Sequence, residues 1–198
     1  MPPQSPPGNV DRAAAIEALA AKVAAVGSTS STGDASTIQI PEGPDSARAR
    51  DIVLRQLAAA SRPRAVLAQK LRSREIPDDV ADSVLDRFEQ VGLIDDRAYA
   101  ELYVTAKHRD RALGRHALRA ELRRQGVAED DFADAVAEVD TGAEAQRAAE
   151  LVGKRVAAAM AAGPDAARRR LLGLLARRGY PSSLATAVVE SAIASFGG

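Results

Sequence analysis

Apolar residues recur along most of the chain at the three- and four-residue spacing of α-helices that pack on one side. The segment 96–111 shows this best, with apolar or aromatic residues at i, i+3, i+4 and i+7 that we expect to face a partner helix. They are Tyr99, Leu102, Tyr103 and Ala106. Asp95 or Asp96 can accept hydrogen bonds from the free N–H groups where this helix begins. The two adjacent acids therefore predict helix capping and not a catalytic carboxylate pair.

A second helix is predicted directly after the first, with Leu118 and Leu122 facing inward and three arginines facing outward. The arginines are Arg115, Arg119 and Arg123. Gly126 should end this helix, because glycine readily takes the positive φ that follows a helix C-terminus. Together the two helices predict an apolar seam beside a basic stripe.

The same pattern occurs three times, at offsets of 51 and 53 residues, which indicates an internal repeat. The offsets superpose Leu67 and Leu71 on Leu118 and Leu122 and on Leu171 and Leu175, Ile76 on Val127 and Tyr180, and Leu85 on Val136 and Val189. Gly126 coincides with Gly179, but the first copy has Glu75 at this place. We expect that helix end to close without glycine's conformational freedom.

Each copy is predicted to contain an opening helix, a short basic helix and an acidic or neutral helix. The predicted helices are 46–60, 63–74 and 78–91 in the first copy, 96–111, 115–125 and 129–139 in the second, and 142–162, 164–178 and 182–195 in the third. A unit of about 50 residues is too small to be robust alone, so neighbouring units should share buried seams. The predicted fold is therefore all-α, an elongated array of three tandem three-helix modules, with repeats at 45–94, 95–141 and 142–198.

The first 44 residues differ from the rest in composition, and we predict a flexible extension or linker there. The chain starts with a proline-rich stretch, and residues 27–44 are rich in Ser, Thr, Gly and Pro. Between them, residues 10–26 carry a sparse apolar stripe that predicts a short, marginal helix. The only alternation typical of a strand is Thr37-Ile38-Gln39-Ile40.

The formal net charge is zero, yet basic and acidic residues are segregated between helices. Arginines concentrate on the second helices, whereas the third helices of the first two copies are acidic. Acids at helix starts and bases at helix ends complement the helix dipole, and adjacent helices can neutralise each other. The third copy departs from this balance, because its last helix offers only Glu190 against five arginines, which favours an anionic partner. The five are Arg168, Arg169, Arg170, Arg177 and Arg178.

Catalytic and metal sites find little support in this sequence, and we expect no enzyme, cofactor or bound metal. The chain has no cysteine, which excludes disulfides and thiolate sites. Its only histidines, His108 and His116, would lie about 12 Å apart along a helix axis, too far for one metal, and we expect both to be solvated. Acidic third helices also argue against sequence-specific reading of DNA by a helix-turn-helix arrangement. No apolar run reaches the roughly 20 residues of a membrane span, so a cytoplasmic monomer is the expectation.

The run LIDDRAYAELYV at 93–104, followed by GRHALRAELRRQGV at 114–127, resembles the central signature of the RecX family, modulators of the RecA recombinase. The resemblance extends over roughly residues 46–194. It implies a protein that binds RecA filaments along their helical groove and limits filament extension, ATP hydrolysis and strand exchange in recombinational DNA repair. Single-stranded DNA within the filament is a further contact to test.

Charge placement, and not the family signature, selects the residues expected to bind the partner. The predicted docking arginines are Arg115, Arg119, Arg123, Arg124, Arg168, Arg169, Arg170, Arg177 and Arg178. Two other functions remain open from the sequence. One is a nucleic-acid-binding protein that acts alone, with affinity that falls steeply as salt is added. The other is a helical scaffold for a different protein, which would need residues 1–44 for capture.

Overall fold

The computed structural model describes residues 43–197 of the chain, and every regular element in this range is an α-helix. The first group of helices is α1 (Pro44–Ala59), α2 (Arg64–Arg72) and α3 (Asp78–Gln90). The second is α4 (Asp96–Arg111), α5 (Arg115–Arg124) and α6 (Glu129–Ala137). The third is α7 (Thr141–Met160), α8 (Pro164–Arg177) and α9 (Ser182–Gly197). Tandem three-helix groups confirm the predicted all-α fold, and no predicted helix bound differs from the structure by more than two residues.

Two predictions concern residues beyond this range. The extension over 1–44, with its short helix over 10–26, lies outside the described residues except for its last two positions. The strand-like alternation at 37–40 also lies outside them. Neither prediction is tested.

The second helix of each group ends in the same hydrogen-bonded turn, which explains why the repeat is visible in the sequence. The N–H groups of Ile76, Val127 and Tyr180 donate to the carbonyl oxygens of Leu71, Leu122 and Leu175 at 3.2, 3.2 and 3.1 Å. This six-residue bond is the mark of the Schellman motif, whose preceding residue takes a positive φ. All six residues in these bonds are buried, so the turn both closes the helix and places two core side chains.

Glu75 occupies the positive-φ position in the first group, where the other two groups have glycine. Its φ is 60°, close to the 79° of Gly126 and the 78° of Gly179. The first copy therefore closes as the others do, although a residue with a Cβ is strained there by about 1 kcal/mol or more.

The chain divides between Asp95 and Asp96 into two compact units. In the first unit, α1, α2 and α3 enclose one apolar cluster built around Val53, Leu67, Leu71 and Leu85. The repeat boundaries given above at 94/95 and 141/142 stay a prediction.

The second unit contains both the second and the third helix groups, each with an apolar cluster of its own. Leu118, Leu122, Phe132 and Val136 form the centre of the first of these clusters. Val152, Leu171, Leu175 and Val189 form the centre of the other. The inward orientation predicted for Leu118 and Leu122 is confirmed, because neither side chain has exposed surface.

Leu102 is the exception to the predicted seam of α4, since 67% of it is exposed. The buried residues of this helix are instead Ala100 and Val104. Each helical residue turns by about 100°, so Leu102 lies on nearly the opposite side of α4 from Val104. The prediction that Leu102 faces a partner helix is wrong, because α6 packs on the side of α4 that carries the smaller apolar residues.

Candidate partner-binding surface and the joint that positions it

Arg168 is held by carboxylates of its own helix group. Its guanidinium donates to both oxygens of Glu190 at 2.6 and 2.9 Å and to Asp165 at 3.1 Å. The bonds from Arg168 lower the pKa of the Glu190 carboxyl, and the same bonds raise the pKa of Arg168. Glu190, the single acid of the last helix, is thus already paired with Arg168, one of the five arginines.

Three other arginines of that group remain available. Arg169, Arg170 and Arg177 are exposed, and no carboxylate within residues 43–197 lies at ion-pair distance from them. Arg170 and Arg177 are seven residues apart on α8, which places them on the same side of the helix, about 10 Å apart along it. We call Arg169, Arg170 and Arg177 the exposed arginines.

The arginines of α5 have more varied surroundings. Arg123 pairs with Glu129 at 2.7 Å, and the largely exposed Arg124 reaches Glu121 only at 3.8 Å. Arg119 is half-buried, and its buried Nε has no hydrogen-bond partner among the described residues. Arg119 thus has no ion pair within residues 43–197 but is half-buried, and Arg124 is the exposed α5 arginine whose charge is least neutralised.

In the first unit the opposite charges of α2 and α3 meet, as one interpretation of the sequence expects. Arg64 reaches Asp86 at 2.7 Å, Glu89 at 2.9 Å and Asp82 at 3.4 Å. Its side chain is only 28% exposed, so three acids surround one partly buried cation. The charge of Arg64 on α2 is therefore neutralised by acids of α3 within the fold.

Arg115 belongs to the contact between the second and third helix groups. Its Nε donates to Oε2 of Glu144 at 3.0 Å, and its main-chain N–H donates to Oε1 at 2.9 Å. Glu144 lies on α7 and is fully buried. Because the first N–H groups of a helix have no partner inside it, this carboxylate also caps the start of α5.

The C-terminal end of α4 is satisfied from the third group as well. Arg147 donates to the carbonyl oxygen of Arg109 at 2.8 Å, and Arg178 donates to that of Arg111. Tyr180 Oη donates to the carbonyl oxygen of Ala112 at 3.0 Å. These are carbonyls that a helix leaves unpaired at its end, and cationic donors there also complement the helix dipole.

Two glycines allow the main chains to meet at this contact. Gly114 N–H donates to the Arg178 carbonyl oxygen at 2.8 Å. A Cβ on Gly114 would lie 2.6 Å from the carbonyl oxygen of Gly179, and a Cβ on Gly179 would lie 2.2 Å from the amide nitrogen of Ala117. We call the contact made by residues 111–115 with Glu144 and residues 178–180 the joint.

Burial and the Glu144 carboxylate raise the pKa of Tyr180 to about 12. The repeat superposes Tyr180 on Ile76 and Val127, and its side chain is buried as theirs are. Sequence reasoning missed Glu144. The available signal was a carboxylate on an apolar stripe, since Ala148, Leu151 and Val152 follow Glu144 at i+4, i+7 and i+8 and are all buried.

The two histidines do not come together. Nδ1 of the half-buried His108 lies 2.9 Å from the carbonyl oxygen of Leu113, so it carries the hydrogen of that bond. His116 is exposed. The expectation that both histidines are solvated is thus confirmed for His116 and holds only in part for His108, whose ring is half-buried. Residues 43–197 contain no group of three or more His, Cys, Asp or Glu side chains suited to a metal ion.

Comparison with known proteins identifies the first two of the three copies. Residues 49–88 match the family described as RecX, first three-helix domain, and residues 95–136 match RecX, second three-helix domain. A protein named Regulatory protein RecX from Thermobifida fusca is 46% identical over 151 residues, which are 76% of this chain and 82% of that protein. The chain belongs to the RecX family. A second RecX relative, from Streptomyces coelicolor, is 44% identical over 74% of this chain and 78% of its own length.

Solved structures of RecX proteins agree with the fold. The crystal structure of RecX from Lactobacillus salivarius superposes with a TM-score of 0.68 at 19% identity, covering 75% of this chain and 96% of that one. Another crystal structure of a regulatory protein RecX gives a TM-score of 0.69 at 24% identity, covering 74% of this chain and 73% of that one. No helix between residues 43 and 197 of this RecX-family protein is both long and apolar enough to cross a membrane.

Proposed function

We propose that this protein binds RecA filaments in the cytoplasm and limits their extension, ATP hydrolysis and strand exchange, and so modulates recombinational DNA repair. Membership of a family of regulatory proteins is the observation that carries the proposal. The arrangement of charges in the second unit supports it, because guanidinium groups remain exposed on a chain whose net charge is zero.

The docking surface in this proposal uses the arginines predicted from the sequence, and they contribute unequally to binding. The exposed arginines and Arg124 can approach an acidic protein surface or a phosphate backbone without first breaking a strong ion pair. Arg115 and Arg178 serve the joint, so their contribution is to hold α5 to α7 and the end of α8 to the end of α4. Arg123 and Arg168 would have to exchange a carboxylate of this chain for one of the partner, which reduces their net gain.

RecA's DNA-dependent ATP hydrolysis tests the proposal. Purified protein added at substoichiometric amounts to RecA on single-stranded DNA should slow hydrolysis, because one regulator that stops extension affects many RecA subunits. An unchanged rate with folded protein would refute the proposal.

A second candidate function is direct binding to nucleic acid without a recombinase, which the exposed arginines also favour. Binding to single strands should then weaken with salt, by a slope of about −0.7 in log K against log salt for each phosphate contacted. Fluorescence anisotropy with a labelled oligonucleotide, in the absence of RecA, measures this slope. A flat response, or no binding, removes this candidate and leaves the filament proposal unaffected.

A further inference from the structure

A groove lies between α4 and α6 of the second helix group. Two adjoining clefts form it, each of about 560 Å³. Both are lined by Thr105 and Arg109 from α4, by Ala135 of α6 and by Glu138 directly after it, so they are parts of one continuous groove. One of them extends to the start of α7.

The groove has a mixed lining of apolar and polar residues. Val104, Ala135 and Val139 line one cleft, and Leu102 and Ala106 line the other. Leu102 is one of only two large apolar residues classed as exposed within residues 43–197. This leucine gives the groove one exposed apolar side chain that an apolar side chain of a partner can contact.

The charges around this groove select the partner. Its two arginines are already neutralised, Arg109 by Asp110 at 2.7 Å and Arg147 by Glu150 at 2.7 Å. Glu138 is exposed, and no cation among the described residues lies at ion-pair distance from it. Glu101 has only a long contact of 3.8 Å to Arg97, which holds Asp134 more closely at 2.7 Å. Negative charge is therefore in excess at a groove that also presents an exposed leucine.

We propose that this groove binds a basic amphipathic segment of a partner protein. An apolar side chain of the segment packs against Leu102 and Ala135, and its lysines or arginines pair with Glu101 and Glu138. The chemistry is opposite to that of the exposed arginines on α8, which attract anions. The groove is thus a protein-binding surface separate from the proposed filament-docking arginines, and the inference does not depend on what those arginines bind.

A pair of designed helical peptides tests the inference on the full-length protein. One peptide carries leucine and lysine at amphipathic spacing, and the other carries glutamate in place of lysine. In an NMR titration the lysine peptide should shift the amide signals of Leu102, Thr105, Ala135 and Glu138. The glutamate peptide should bind at least about tenfold more weakly, since like charges at an interface are repulsive. Equal binding of the two peptides, no binding of the lysine peptide, or shifts elsewhere in the protein would each overturn the inference.

Two substitutions with matched controls locate the site. Leu102→Glu removes the exposed apolar side chain of the groove, and Glu138→Arg reverses the charge of the unpaired carboxylate. Each substitution should weaken binding of the lysine peptide about tenfold. Phe196→Glu makes the same change at the other exposed large apolar residue, and Asp130→Arg makes the same reversal on the exposed first turn of α6. Both controls should bind as the unmodified protein does. If all four variants bind alike, the groove is not the site.

RecA filaments then separate this inference from the proposed function. Slower ATP hydrolysis with the unmodified protein tests the function, whereas peptide binding and its loss in Leu102→Glu test the groove. Leu102 is largely exposed, so its substitution should leave the thermal unfolding midpoint unchanged. If the protein slows ATP hydrolysis but Leu102→Glu does not change lysine-peptide binding, the proposed function is supported and the groove inference is refuted.

Discussion

Both carboxylate oxygens of the fully buried Glu144 accept hydrogen bonds from one residue, Arg115. One bond comes from the main-chain N–H and the other from the guanidinium, so the carboxylate is fixed in position and in orientation. Burying a carboxylate is costly unless charge and hydrogen bonds compensate for the lost water, and here a single residue supplies both. Glu144 thus ties the start of α5 to α7 of the next helix group.

Glu144→Ala should lower the free energy of unfolding by about 2 kcal/mol, because α5 loses its cap and Arg115 loses its partner. Glu144→Gln should cost less, since the amide oxygen can still accept the bond from Arg115 N–H. Urea denaturation followed by circular dichroism measures both. The control is Glu150→Ala, which removes an exposed carboxylate from the same helix and should change stability by less than about 0.5 kcal/mol. Equal effects at the two positions would contradict the role given to Glu144.

Gly179→Ala should destabilise the protein by about 3 kcal/mol, for two separate reasons. The residue has a φ of 78°, and a Cβ would lie 2.2 Å from the amide nitrogen of Ala117. Gly92→Ala is a matched control at the same kind of helix-ending turn, where Leu93 N–H donates to the Phe88 carbonyl oxygen at 2.8 Å, because its φ is 68° but no atom lies within 4 Å of the added Cβ. That change should cost only about 1 kcal/mol. The difference between the two variants measures the close approach of main chains in the joint, and no difference would show that the joint can open at little cost.

Glu75→Gly should stabilise the first helix group by about 0.5–1 kcal/mol. Glu75 adopts a φ of 60° in a turn where the other two groups use glycine, so the substitution relieves strain that exceeds the entropy gained by the unfolded chain. The converse change, Gly126→Ala, should destabilise the second group by a similar amount. Denaturation curves of both variants against the unmodified protein provide the check, and a destabilised Glu75→Gly protein would contradict the assigned strain.

Tyr180 should remain protonated to a pH of about 12 in the folded protein, because burial is the main cause of its raised pKa. Its unfolded pKa is about 10, so between these values the unfolded state has lost the proton and the folded state retains it. Stability from this residue is complete below pH 10 and falls as the pH rises towards 12, by roughly 2 kcal/mol. Ultraviolet absorbance of the phenolate, compared with Tyr180→Phe, measures the titration. A Tyr180 that ionises near pH 10 while the protein stays folded would contradict its burial.

The sequence predicts the helices of this protein well because the spacing of apolar residues within each helix defines its buried face. Leu67, Leu118 and Leu171 repeat at matched positions, and the turns after α2, α5 and α8 end at residues that recur with them. The joint could not be predicted in the same way. Gly114 reads as a simple helix break, and the atoms that crowd it belong to Gly179 and Glu144, which are distant in sequence.

The candidate surface shows the same limit. Composition and spacing select the arginines but do not reveal which of them the fold neutralises. Arg168 and Arg169 are adjacent and identical in type, yet only Arg168 lies against Glu190 of α9. Leu102 illustrates the converse, because its spacing fits an apolar seam and only the packing of α6 on α4 shows that it is exposed.

Reversing two of the exposed arginines tests the docking surface directly. Arg169→Glu with Arg170→Glu should lower affinity for preformed RecA filaments by about tenfold or more, because attraction to an acidic surface or to phosphate becomes repulsion. Lys154→Glu with Arg155→Glu is the matched control, since it reverses two adjacent exposed cations of the same helix group that have no ion pair within residues 43–197. Co-sedimentation with filaments measures the affinity, and the difference between the two variants should shrink as salt screens the charges. Equal losses in both would mean that net charge, and not the α8 arginines, governs binding.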